Sequence, residues 1–143
     1  MPLSVVLIKP EHDIWNAGEH NGTFRGHNLA FVTANEGLSF WRDNKFEESI
    51  NIKSKQFEKM LNNIVNTANN LVILKGKGMI RGLRFQDAHL ARQVATMCFN
   101  KGVILETAGA KDEVIKLLPS LNIENKYLEQ GISILEENIR SLT

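Results

Sequence analysis

The sequence predicts an α+β fold, within the broad α/β class, in which a small, mostly antiparallel sheet is covered by helices. Three observations carry this. From residue 44 onward the local patterns run helix, two strands, helix, two strands, helix, an order that layers helices against a sheet. Two apolar runs, Leu71-Val72-Ile73-Leu74-Lys75 and Met79-Ile80-Arg81-Gly82-Leu83-Arg84-Phe85, flank Gly76-Lys77-Gly78, as in a hairpin with glycines at its tight positions. Finally, 143 residues with 43% hydrophobic and 23% charged side chains suit an ordinary globular chain able to bury its own core.

The first element expected is a buried strand, Leu3-Ser4-Val5-Val6-Leu7-Ile8, closed by Lys9-Pro10. Its continuous apolar character fits a strand covered on both faces. Such a strand needs neighbours on both edges, and few candidates follow nearby, so residues 1–43 read as part of something larger. Residues 11–27 form an irregular polar connection, of a length that is often functional. A helix is expected from Asn28, its N-cap, to about Trp41, with Phe31, Ala34, Leu38 and Trp41 at helical spacing.

Asp43-Asn44 offers a second N-cap, and a long amphipathic helix runs from there to about Asn69. Its stripe is Phe57, Met60, Leu61, Ile64, Val65 and Ala68. After the hairpin, Asp87 caps a helix with Leu90, Ala91, Val94, Ala95 and Cys98 on one face, stopped by Gly102 at the position after the cap. Val103-Ile104-Leu105 is expected as the third strand, Thr107-Ala108-Gly109-Ala110 as a turn, and Val114 to Leu118 as the fourth strand before Pro119. The last helix, from about Glu124 to Ser141, places Leu128, Leu135, Ile139 and Leu142 on one face.

Seventeen basic against sixteen acidic residues leave a net charge of +1, so no electrostatic case exists for nucleic acid or an anionic membrane. The single cysteine, Cys98, excludes an internal disulfide and a multi-cysteine metal cluster. It reads as a core residue and fits a reducing cytoplasm. The run 3–8 is too short for a membrane span or signal-peptide core, so a soluble, cytoplasmic chain is expected. His12, Asp13, Glu19 and His20 include metal-ligand types but no short repeating spacing, and no metal site is expected.

The stretch densest in site-like residues is Glu19-His20-Asn21-Gly22-Thr23-Phe24-Arg25-Gly26-His27-Asn28. Two glycines let the backbone approach a ligand, Thr23 offers a hydroxyl, and the following helix N-terminus favours an anion such as phosphate. A capped surface loop without a ligand explains the same spacing.

This stretch resembles the His-Gly-Thr-Thr-Phe-Gly-Gly-Asn-Pro motif of the class III pyridoxal-phosphate aminotransferases. Its Asn-Gly-Thr-Phe-Arg-Gly variant is similar to the subgroup acting on 2,4-diaminobutyrate and 2-oxoglutarate. Leu7-Ile8-Lys9-Pro10-Glu11 with Asp13-Ile14-Trp15, and Gly102-Val103-Ile104-Leu105-Glu106-Thr107-Ala108-Gly109-Ala110 running on to Glu113-Val114-Ile115-Lys116-Leu117-Leu118-Pro119, extend the resemblance over essentially the whole chain.

The resemblance implies the C-terminal portion of a fold type I aminotransferase. Residues 1–43 would be a remnant of the large cofactor-binding domain with its interface loop, and 44–143 the small domain. The Schiff-base lysine would precede the residue matching Met1, so no catalytic residue is expected in this chain and the isolated chain should be inactive. The cofactor of the full-length enzyme would be pyridoxal 5′-phosphate, and its partners a second subunit of a homodimer, an amino donor and 2-oxoglutarate.

By the same resemblance, Thr23, assisted by the Gly22 N–H, would contact the cofactor phosphate of the neighbouring subunit. Lys116 matches a position that is arginine in many members, where it pairs with a substrate carboxylate; an ordinary surface lysine beside Glu113 is the plain alternative. Arg25, where the wider class has glycine, would meet a substrate carboxylate or form a structural salt bridge. Glu106 would recognise a substrate amino group. His27 stands where the subgroup has asparagine. Another class III ω-aminotransferase is an alternative reading, and so is a standalone α+β ligand-binding or interaction module, which the element order permits.

Overall fold

The structure is a computed structural model that describes residues 1–142. Its contacts divide the chain into two compact units, Met1–Phe46 and Glu47–Thr143.

In the first unit, the only regular elements before its last residues are a 3-10 turn, Pro10–His12, and helix α1, Asn28–Ser39. The expected strand at Leu3 to Ile8 is not formed, and Val5, Val6 and Leu7 are 71%, 80% and 93% exposed. A strand exists only through the ladder of a neighbouring strand, and among the described residues none pairs with this segment. Residues 11–27 are irregular apart from the 3-10 turn and short turns, as the polar composition suggests. The N-cap of α1 is His27, one residue before the expected Asn28. Its Nδ1 accepts from the Ala30 N–H at 3.2 Å, doing with a ring nitrogen what a capping oxygen usually does. Ala30 is the buried residue of α1, while Phe31 and Leu38 of the expected apolar stripe are exposed.

The second unit is built on helix α2, Lys45–Thr67, whose start is fixed by the Asp43 carboxylate accepting from the Lys45 N–H at 3.2 Å. Phe57, Leu61, Ile64 and Ala68 of its stripe are buried. The chain leaves the helix through Asn69 and Asn70, both left-handed (φ 46° and 63°), a conformation asparagine tolerates better than most residues.

Strands β1, Val72–Lys77, and β2, Ile80–Phe85, pair antiparallel with Lys77 opposite Ile80. The loop is therefore the pair Gly78-Met79, shorter by one and shifted from the Gly76-Lys77-Gly78 expected. Gly78, at φ 61°, supplies the positive φ that a two-residue hairpin needs first.

Helix α3, Ala88–Asn100, is capped by Asp87, which accepts from the His89 N–H at 2.8 Å. It ends in a Schellman motif. Gly102 (φ 84°) donates to Phe99 O at 2.9 Å and Val103 to Cys98 O at 2.9 Å.

The third strand differs from expectation. Strand β3 is Glu106–Ala108 rather than Val103-Ile104-Leu105, and it occupies part of the expected turn. Val103 spends its N–H on the helix exit, Ile104 is 80% exposed, and pairing begins only where Glu106 meets Lys116. Strand β4, Val114–Leu117, completes an entirely antiparallel sheet of order β1-β2-β4-β3, and helix α4, Asn125–Arg140, closes the unit.

Strand alternation sends Val72, Leu83, Phe85, Ile115 and Leu117 into one core with α2, α3 and α4 residues such as Phe57, Val94, Cys98, Leu128, Leu135 and Ile139. The opposite sheet face carries the row Lys75, Gly82, Lys116, Glu106 and the row Ile73, Arg84, Val114, Ala108. Among the described residues no helix is long and apolar enough to cross a membrane.

Candidate functional site

Gly22, Thr23 and Arg25 share one exposed loop of the first unit. The turn is closed by Arg25 N–H donating to Gly22 O at 3.1 Å, and Gly26 follows at φ 77°. The Gly22 N–H is occupied by Asn21 Oδ1 at 2.8 Å. Arg25 Nη1 donates to His20 O at 2.5 Å, so its guanidinium braces the loop. Upstream, the Asn16 N–H donates to Glu19 at 2.7 Å, and this bond holds the Glu19 carboxyl below its ordinary pKa. His20 packs on Trp15 with ring centroids 4.9 Å apart. Thr23 is exposed on the same loop.

In the second unit, the register brings two site residues together. Glu106 lies directly opposite Lys116, and their side chains form an ion pair across β3 and β4. The expected neighbour of Lys116, Glu113, is engaged elsewhere: it accepts from the Lys111 N–H at 2.9 Å and folds under Gly109. Gly109, at φ 93°, leaves the room that a side chain would take from that carboxylate.

The Lys116 ammonium, by hydrogen bond and charge, holds the Glu106 carboxyl below its ordinary value. Because the folded pKa is depressed, the pair persists through the ordinary carboxylate range and is lost only as pH falls through the lowered value. Removing the charge with Lys116→Gln is expected to return the Glu106 midpoint upward to the ordinary range, read by carbon-13 carboxyl shifts in a pH titration. An unmoved midpoint would disprove the pairing.

Both residues line a largely apolar cleft of about 650 Å³, together with Ile104, Leu105, Leu118 and Tyr127 among others. That volume lies within the range of small-molecule sites.

Arg81 carries no functional expectation, yet among the described residues it is the buried cation. Its side chain is 6% exposed, with Nη2 2.9 Å from Glu58 of α2, Nε donating to Gly78 O at 3.0 Å and Nη1 to Gly76 O at 3.1 Å. The signal available was an arginine at an inward position of a strand whose alternation it interrupts. Cys98 is buried and accepts from Asn138 Nδ2 at 3.3 Å. Burial pushes its thiol pKa up, which fits a core residue rather than a reactive thiol.

The likeness to solved structures lies in the fold. The chain superposes on part of an acetylornithine aminotransferase from Elizabethkingia anophelis with a TM-score of 0.75, at 22% identity, covering 90% of this chain and 34% of that one. An N-acetylornithine aminotransferase from Stenotrophomonas maltophilia gives a TM-score of 0.66 at 19% identity, covering 80% of this chain and 31% of that one. These likenesses establish the fold of the C-terminal domain of fold type I aminotransferases.

The Aminotransferase class-III family profile matches residues 1–139, and the chain belongs to that family. It is similar to proteins named diaminobutyrate–2-oxoglutarate transaminase. The relative from Halalkalibacterium halodurans is 45% identical over 143 residues, covering 99% of this chain and 34% of the relative. That from Marinococcus halophilus is 41% identical over 143 residues with the same coverage, and that from Vibrio cholerae 44% over 138 residues, covering 95% and 34%. The chain thus spans about a third of the length of these relatives.

Proposed function

We propose that this chain supplies the C-terminal portion of a transaminase that moves the 4-amino group of L-2,4-diaminobutyrate to 2-oxoglutarate, giving aspartate semialdehyde and glutamate. The observation that carries this reading is the 41% to 45% identity to transaminases of that name over 99% of the chain. Residues 1–43 belong to the large domain of the whole enzyme, and residues 44–143 form its small domain.

Class III aminotransferases use pyridoxal 5′-phosphate, which acts as an electron sink during amino transfer. The residues present fit one corner of its site. Thr23 offers an exposed hydroxyl to a phosphate oxygen, and the Gly22 N–H becomes a second donor once it is released from Asn21 Oδ1. A loop presented this way completes the phosphate site of the other subunit of a homodimer.

On the sheet, Lys116 receives a substrate carboxylate, as a point charge without the bidentate fork of arginine. Glu106, kept ionised by Lys116, offers its free lone pairs to a substrate ammonium. Arg25 supplies further positive charge beside the Thr23 loop.

The donors of this chain are too few to hold the cofactor alone. The purified polypeptide is therefore expected to show no pyridoxal-phosphate absorbance after gel filtration and no transamination of L-2,4-diaminobutyrate. Stoichiometric cofactor retention with turnover would refute the reading.

A further inference from the structure

We propose that Lys75 is a second cation for the substrate that Lys116 receives, and that together they select a dicarboxylate over a monocarboxylate. The inference rests on the reading of Lys116 as a carboxylate-binding residue.

Its basis is the register of three strands. Lys75 of β1 lies opposite Gly82 of β2, and Gly82 lies opposite Lys116 of β4. Residues paired in register across adjacent strands share a sheet face, so both lysines stand on the face turned away from the core. Between them Gly82 has no side chain. A Cβ there would come within 2.7 Å of Val114 Cγ1, which confirms that Gly82 and Val114 share this face. The middle strand therefore places no side chain between the two lysine positions, and the space over Gly82 is taken by Val114 of β4.

The charges of this face are unequally distributed. Lys116 gives one donor to Glu106, and its ammonium has three. Arg84, one row away, faces the charge of Glu113, whose carboxyl it helps hold below its ordinary value. Lys75 is exposed and, among the described residues, has no carboxylate within ion-pair distance. An unneutralised cation therefore flanks one that already shares its charge with Glu106.

Two strand spacings set the lysine Cα atoms about 9.5 Å apart. A five-carbon dicarboxylate holds its carboxylates about 5 Å apart, within reach of two flexible four-carbon stems. A monocarboxylate has a single charge to offer and engages Lys116 alone. Inorganic phosphate concentrates its charge at one point, where both ammonium groups would have to converge against their mutual repulsion.

The test uses the whole chain, its backbone amides observed by NMR while 2-oxoglutarate, acetate or inorganic phosphate is added at low salt. The expected result is that 2-oxoglutarate shifts the amides of Gly82, Val114 and Lys116 at lower concentration than either acetate or phosphate. Lys75→Gln should weaken 2-oxoglutarate by roughly two- to fivefold and leave acetate unchanged, with Lys126→Gln on α4 as a silent control.

The proposal is overturned if Lys75→Gln leaves the 2-oxoglutarate titration unchanged while Lys116→Gln abolishes it; the reading of Lys116 then survives. It is overturned equally if phosphate matches 2-oxoglutarate. If Lys116→Gln changes neither titration, the reading of Lys116 fails and takes the role of Lys75 with it.

Discussion

Phe57→Ala is expected to lower the unfolding free energy of the second unit by about 3–5 kcal/mol. Phe57 is 1% exposed and belongs to the single core that α2, α3, α4 and the inward strand residues share. Truncation removes its transfer energy and leaves a void that the rigid sheet beneath cannot fill. The loss is a large part of the total stability of a domain this size. Urea denaturation followed by far-ultraviolet circular dichroism reads it directly. Phe24→Ala in the first unit is the contrast: that ring is 87% exposed, and its removal should change stability by no more than about 0.5 kcal/mol. Equal effects from the two substitutions would contradict the placement of the core.

Arg81→Ala is expected to cost about 2–4 kcal/mol, by a different mechanism. Its guanidinium satisfies the carbonyls of Gly76 and Gly78 and pairs with Glu58, so one residue ties the β1–β2 turn to α2. Removing it leaves the two carbonyls short of a donor and one carboxylate unpaired. Glu58 is half exposed, so Glu58→Gln should cost well under half as much, water taking over the lost contact. In hydrogen exchange, Arg81→Ala should speed the amides of residues 76–81 before those of α3. Uniform acceleration over the unit would show that Arg81 does not hold the turn.

How far each element was legible depends on where its cause lies. Helices α2 and α3 and the β1–β2 hairpin are written locally, in the Phe57 to Ala68 stripe, the Asp87 cap, and the glycines Gly78 and Gly102. Strand β3 is not, because its place is set by pairing with β4, and an apolar triplet such as Val103-Ile104-Leu105 carries no information about its partner. The same reasoning explains residues 3–8, whose apolar run fits a buried strand but finds no ladder among the described residues. The His27 cap was hidden because a histidine ring nitrogen is not the usual capping acceptor.

The candidate site divides the same way. The Thr23 loop was visible as a motif, whereas the partner of Lys116 could only come from register, which supplied Glu106 in place of Glu113. The Lys75, Gly82, Lys116 row is likewise a property of three strands that no local window contains.

The central claim is that these residues complete a class III transaminase of diaminobutyrate. Its most direct test is to mix this chain with the remaining, N-terminal two-thirds of the Halalkalibacterium halodurans relative and pyridoxal 5′-phosphate, and to measure glutamate formed from L-2,4-diaminobutyrate and 2-oxoglutarate. Activity in the mixture that neither piece has alone, and that Thr23→Val reduces, is the predicted result. A stable complex of the two pieces that binds the cofactor but forms no glutamate would contradict it.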